Sequence, residues 1–415
     1  MRASIQPECY DESIAVRIYL DHNATAPPAP GVMDAVCRAL SDTPGNPSSI
    51  HSPGQQARGV LDDARGAVAA LIDAAPGEVV FTSGGTESNH LAIRGAAGPL
   101  ESTKRRHVVT TVIEHEAVLA ACAALERRGW RVTHLAVDDS GVVSPATLEA
   151  ALDDDTGLVS VMHANNEVGT LQPIAELAAM AHARGAWFHT DAVQTVGKVP
   201  VSVRALDVDL LSLSGHKFGG PKGTGALWVR RGLTLEAQQT GGKQERSRRA
   251  GTENVPGLAG MGVAAAHARD TLDRTGRDIA RRRDRLEQEF LLRVPGVHVN
   301  GTRDLRVPNT TNVSVDGVEA EVLLIALDLE GIAVSTGAAC SSGTLEPSHV
   351  LTAMGLSASR ARTSLRFSLG PETTDAEIDE VLDRVPALVA RLRHLNRTAT
   401  RVGGRSRPRQ PARSR

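Results

Sequence analysis

Through the middle of the chain, short apolar and often β-branched runs alternate with longer amphipathic stretches, as in "EVVFTSGG", "HVVTTVIEH", "GLVSVMHANN", "GAWFHTDAVQ" and "VDLLSLSGHK". Runs this short that close on glycine or polar residues read as strands, and the stretches between them read as helices. The alternation therefore predicts βαβ units around a mostly parallel sheet. In open sheets of this kind the ligand crevice lies at the carboxyl ends of the strands. Each run ends in a polar cluster, so five clusters are expected to converge on one site. A long charged helix is expected over about residues 256–292. Beyond it, "NTTNVSVDGVEAEVLLIALD" and "SLRFSLGPETTDAEIDEVLDRVPALVARL" predict a smaller α/β unit. No internal repeat is visible.

Composition narrows the class. A chain of 415 residues with 41% hydrophobic content is long enough for one large α/β core and a smaller one. Lysine and arginine total 46 against 48 acids, yet seven arginines and no acid fall between Arg397 and Arg415. The body is thus acidic, which argues against direct nucleic-acid binding. The ending "RVGGRSRPRQPARSR" lacks apolar periodicity and reads as a disordered basic tail. No apolar stretch has the length of a signal peptide or a membrane span, so a soluble cytoplasmic protein without membrane contact is expected. The cysteines Cys9, Cys37, Cys122 and Cys340 lie far apart, without the spacing of a disulfide framework or a metal site. The expected division is an N-terminal extension (1–17), a large domain (18–257), a small C-terminal domain (258–395) and the tail (396–415).

Three clusters carry candidate chemistry. "FTSGGTESNHLAI" puts Ser83, Gly84, Gly85 and Thr86 between a strand and a helix, where free backbone N–H groups and the helix's positive end can cradle a phosphate. The same glycines also suit an ordinary tight turn, and neither this run nor "GGPKGTG" is a P-loop. In "LSLSGHKFGG", Lys217 follows an apolar strand and is placed for desolvation, which lowers an amine's pKa and frees it to form a Schiff base with a carbonyl cofactor. In "FHTDAVQ", Asp191 ends another strand, and a carboxylate there can hold a pyridine nitrogen protonated. Alone it would serve equally as a helix cap. Together, in this order, the three describe a pyridoxal-phosphate site. A fourth stretch, "STGAACSSGT", surrounds Cys340 with small and hydroxylated residues that offer little to pack against.

With "YLDHNATAPP", "GNPSSIHSPGQQAR", "EHEAVL", "MHANNEVGTLQPI", "HTDAVQTVGKVPV", "SLSGHKFGGPKGTGAL", "RRAGTENVPG", "STGAACSSGTLEPSHVL" and "SLRFSLG" added, the sequence resembles the cysteine desulfurases. These are pyridoxal-phosphate enzymes of fold type I in the class V aminotransferase group, and the similar branch is that of nitrogen fixation and iron–sulfur cluster assembly. The segments span roughly residues 19 to 370. The resemblance implies a fold type I α/β protein, with a large domain built on a mostly parallel sheet and a smaller α/β C-terminal domain carrying a catalytic cysteine loop.

It also implies roles. Lys217 would hold pyridoxal 5'-phosphate as a Schiff base and move the substrate's Cα proton. Asp191 would meet the pyridine nitrogen, and His115 would stack on the ring and shuttle protons. Gln194 and Asn166 would sit by the ring's phenolic oxygen and the substrate. Gly85, Thr86, Ser214 and His216 would hold the phosphate, with Thr252 reaching the partner subunit's phosphate in a homodimer with shared sites. Arg366 would clamp the α-carboxylate of L-cysteine, where a structural ion pair is the plainer alternative. Cys340 would take the sulfur as a persulfide and pass it to a protein acceptor, an iron–sulfur scaffold or a thiolation protein. No metal is implied. Lys243 in "GGKQERSRRAGT" departs from the glycine expected there, which puts the local turn in doubt. A selenocysteine lyase or an aminotransferase on the same fold is the alternative, and a catalytically idle scaffold is a third reading.

Overall fold

The computed structural model describes residues 18–336 and 347–403, with side chains through residue 398. The N-terminal extension, Cys340 and the end of the basic tail therefore lie outside the described residues. A two-residue strand β1 (Ile18–Tyr19) comes first. Seven strands then follow: β2 (Val79–Thr82), β3 (His107–Thr111), β4 (Arg131–Leu135), β5 (Thr156–Ser160), β6 (Trp187–Asp191), β7 (Leu210–Ser214) and β8 (Gly225–Val229). They form one sheet in the order β2-β8-β7-β6-β5-β3-β4.

The pairings β4–β3–β5–β6–β7 are parallel, because helices such as Glu116–Glu126 and Ile174–Ala183 carry the chain back across the sheet between them. β8 runs antiparallel to β7 and β2, since the loop 215–224 is too short for a helical crossover. The inner strands β3, β5, β7 and β8 are buried throughout, as apolar runs covered on both faces should be. β4 closes one edge and leaves Arg131 and His134 exposed, a charged rim that discourages further strand addition.

A second core is built from β9 (Val297–Asn300), β10 (Thr310–Val315) and β12 (Ser364–Ser368), antiparallel in the order β12-β10-β9. β11 (Ile332–Ala333) pairs with β1, so residues near the start of the described chain join this unit. Its interior gathers Ile18, Leu20, Val313, Leu365, Phe367 and Leu382.

The helix Val255–Arg293 serves both cores. Asn254 caps it by accepting from Gly257 N at 3.1 Å, and Pro256 sits in the first turn, where its missing N–H costs nothing. The first half buries Leu258, Met261 and Ala265 under the large sheet, and the second half buries Ile279, Leu286 and Phe290 in the smaller unit. The expected boundary at 257/258 thus falls within this helix's first turn.

One expectation changes. The tail was expected to lose structure from residue 396, but the helix Asp375–Gly403 continues past it. Residues 396–402 hold neither proline nor glycine, and the first Gly-Gly pair stands at Gly403 and Gly404. No helix of the described residues is long and apolar enough to cross a membrane.

Candidate active site

Because β3, β5, β6 and β7 run parallel, their carboxyl ends open on one side, and the candidate residues ride on the segments that follow. Lys217 closes the short helical turn Gly215–Lys217 directly after β7. Its Nζ donates to the carbonyl of Ala24 at 2.9 Å and to that of Asn23. Burial and the nearby Arg366 pull its pKa from 10.5 down to about 8, with Asp191 and Asp21 acting the other way. About a tenth of this amine is therefore free base at pH 7, against less than about a thousandth for an ordinary lysine.

Asp191, at the end of β6, is buried. Its Oδ2 accepts from Asn89 Nδ2 at 2.6 Å and its Oδ1 from Val193 N at 2.9 Å. Asn89 belongs to the helix Gly85–Gly95, one turn beyond Gly85 and so on the same face. The start of this helix is closely packed: a Cβ on Gly85 would stand 2.7 Å from Val193 Cγ2. Beside it, Ser214 Oγ is buried with no hydrogen-bond partner in the structure. Thr86 is exposed on the first turn. His216 Nδ1 lies 3.1 Å from Thr25 Oγ1, and burial with Lys217, Lys222 and Lys198 holds its pKa down to about 4.

His115 caps the helix Glu116–Glu126, its Nδ1 accepting from Ala117 N at 3.1 Å, which places the neutral ring's proton on Nε2. The ring itself is exposed. Arg366, on β12, donates through Nη1 to the carbonyl of Asn166 at 2.9 Å and through Nη2 to Asp21 Oδ1 at 2.7 Å. It is therefore in an ion pair, with Nε buried and unpartnered. Gln194 is buried, and its Nε2 donates to the carbonyl of Asn23 at 3.1 Å.

The family model for class V aminotransferases matches residues 18–381, nearly the whole described chain. The chain belongs to the class V aminotransferase family. A cysteine desulfurase of Nostoc sp. is 48% identical over 379 residues, covering 91% of this chain and 94% of that protein. Among solved structures, a NifS-like protein superposes with a TM-score of 0.85 at 35% identity, covering 90% of this chain and 99% of that one. A structure of SspA in complex with cysteine superposes with a TM-score of 0.75 at 36% identity, covering 86% and 100%.

Class V aminotransferases work with pyridoxal phosphate, and the residues present fit that group. An amine of lowered pKa, a buried carboxylate, an orphaned serine hydroxyl and a helix start that a Cβ would crowd lie at one end of the sheet. One predicted residue stands apart from this cluster. Thr252 is exposed ahead of the long helix and makes no hydrogen bond to the cluster among the described residues. Cys340 lies outside the described residues.

Sequence reasoning missed Asn23, Asn89 and Lys198. Asn23 is the most connected of them. It donates from Nδ2 to Thr310 Oγ1 and to the carbonyl of Asn166, and from its backbone N to Ser368 Oγ. Its Oδ1 accepts from Lys198 Nζ and Asn309 Nδ2. Only Asn89 carried a local signal, its spacing from Gly85 along the helix. Asn23 acts through partners far away in sequence, and Lys198 joins that distant Asn23 to Gln194, four residues before it.

Proposed function

We propose that this protein removes sulfur from L-cysteine, giving L-alanine and a persulfide on Cys340. The reading rests on one observation: a lysine amine of lowered pKa, a buried aspartate and a buried guanidinium meet at the carboxyl end of the sheet. That the chain's relatives include cysteine desulfurases and a cysteine-bound structure supports this choice among the reactions the site can run.

Bound pyridoxal phosphate supplies an electron sink for the bond broken at the substrate's Cα. Lys217 would hold the group and, once displaced, would take the Cα proton on Nζ. Asp191 keeps the ring nitrogen protonated, and Asn89 holds that carboxylate in place. His115 would stack on the ring and would shuttle a proton through Nε2. The start of the helix Gly85–Gly95, with Gly85, Thr86, Ser214 and His216, receives the phosphate, and Thr252 completes the partner's site in a homodimer. Gln194 and Asn166 position the ring oxygen and the substrate. Arg366 exchanges Asp21 for the substrate carboxylate, the geometry a guanidinium suits best. The Cys340 thiolate attacks the substrate's sulfur as the carbon–sulfur bond breaks. The sulfur stays on Cys340, and the carbon skeleton takes up a proton to leave as L-alanine. The persulfide then passes to a protein acceptor, an iron–sulfur scaffold or a thiolation protein, in the cytoplasm.

The test measures alanine and sulfide released from L-cysteine in the presence of a thiol reductant, for the wild type and Cys340→Ala. Equal yields from the wild type, with a variant that keeps the cofactor's visible band and loses sulfide, are expected. A variant as active as the wild type would make this a lyase or transaminase instead.

A further inference from the structure

Lys198 lines the same cavity as Lys217, and among the described residues no carboxylate pairs with it. Its Nζ donates to Gln194 Oε1 at 2.7 Å and to Asn23 Oδ1 at 2.8 Å. The charged groups that act on it are Lys217 and Arg366, both cations, and with burial they push its pKa well down. An amine held this way weakens the fold when charged, since nothing opposite compensates it. Its position calls for another reason.

Donor chemistry supplies one. A lysine ammonium has only N–H to offer, and the neutral amine still has two, one for each amide oxygen it meets. Gln194 therefore turns its oxygen to Lys198 and its amide nitrogen the other way, where one N–H reaches the carbonyl of Asn23 at 3.1 Å. The second N–H has no partner among these contacts and is left for a ligand. Asn23 is oriented likewise: its oxygen faces Lys198 while its nitrogen reaches Thr310 and the carbonyl of Asn166. A Gln194 amide with its ends exchanged would set oxygen against oxygen at the carbonyl of Asn23 and N–H against N–H at a charged Lys198, where only the neutral amine's single lone pair could accept it.

We propose that Lys198 is a positioning residue that locks the Gln194 amide so that it presents N–H, and not oxygen, to the cofactor's ring oxygen. This rests on the reading that places Gln194 beside that oxygen. A hydrogen bond donated there favours the ionised oxygen and so sets the pH at which the lysine-linked cofactor changes colour.

The experiment titrates the visible band of the cofactor-loaded enzyme for wild type, Lys198→Met, Gln194→Ala and the double variant. A hydrogen bond to a charged group corresponds to a shift on the order of one pH unit. Lys198→Met and Gln194→Ala are each expected to raise the midpoint by about that much, and the double variant to move it no further. Shifts that add, or a Lys198→Met midpoint equal to the wild type beside a displaced Gln194→Ala, overturn the proposal. Lys198→Arg keeps a head of donors only and is expected at the wild-type midpoint; a displacement as large as that of the methionine variant counts against it. The cofactor-free Lys198→Met protein is expected to melt no lower than the wild type, and a large drop would make Lys198 a structural residue instead. A wild type with no visible band when loaded would instead fail the cofactor reading on which the proposal stands.

Discussion

Lys217 shows how one environment converts a common side chain into a reagent. A lysine in water holds its proton until about pH 10.4. Here burial opposes the charge first, and Arg366 adds repulsion, so the pKa falls to about 8. Raising the pH through that value deprotonates the amine, and only the free base attacks a carbonyl. The rate at which cofactor-free protein takes up pyridoxal phosphate is therefore expected to climb with pH and level off above a midpoint near 8. Stopped-flow absorbance over a pH series checks this, and a midpoint near that of an ordinary lysine would contradict it. The strand-end position of Lys217 was legible in "LSLSGHK", but the Arg366 that helps tune it stands on β12 of the second unit.

At the scale of elements, the turn after Gly242 shows local sequence and tertiary packing at odds. Lys243 stands where a glycine was expected and adopts an ordinary backbone with φ −90°. The left-handed conformation falls instead on Glu245, Arg246 and Ser247, with φ of 45°, 57° and 63°. Three such residues in succession are strained, and a buried ion pair holds them. Glu245 accepts from both terminal nitrogens of Arg65 at 2.7 Å and from Phe81 N at 2.9 Å, tying the turn to the helix Ser52–Leu71 and to β2. Arg65 also lies 4.4 Å over the Phe81 ring. Removing one member leaves a buried charge unpaired, so Glu245→Ala is expected to destabilise the cofactor-free protein by about 3–5 kcal/mol. Denaturant melting reads the loss, and a change under about 1 kcal/mol would place this pair with weak surface bridges. The strands, and a helix expected at 256–292 and found at Val255–Arg293, were by contrast readable from periodicity, because each is decided within a few turns of chain.

The molecule as a whole keeps several histidines neutral in its interior. Burial holds His22 and His163 down to about 4 and His189 to about 3. His189 bridges β5, β6 and β7 through Ser160 Oγ at 2.8 Å and Ser212 Oγ at 3.0 Å. In the unfolded chain each titrates near 6.5. As pH falls from there toward 4, the unfolded state takes protons that the folded state refuses, so stability is lost across that window. Glu114 works against this trend, since burial raises it to about 8 and its folded form takes its proton first as pH falls. With His216, also held to about 4, four histidines stand against Glu114 and Glu167, whose carboxyl burial likewise raises, and the melting temperature is expected to decline between about pH 6.5 and 4; a flat profile by calorimetry would show that these rings are not buried neutral. By itself the sequence determined the alternation of strands and helices, the strand ends that bear Asp191 and Lys217, and the glycines at the start of the helix Gly85–Gly95. Periodicity and turn chemistry are local, and a few neighbouring residues suffice to specify them. The tertiary structure alone decided that Asn89 holds Asp191, that Asn23 ties Lys198, Lys217 and Asn166 to Asn309, Thr310 and Ser368, and that Arg366 meets Asp21. Donors and acceptors from distant parts of the chain choose partners only once both cores have closed and water no longer competes for them.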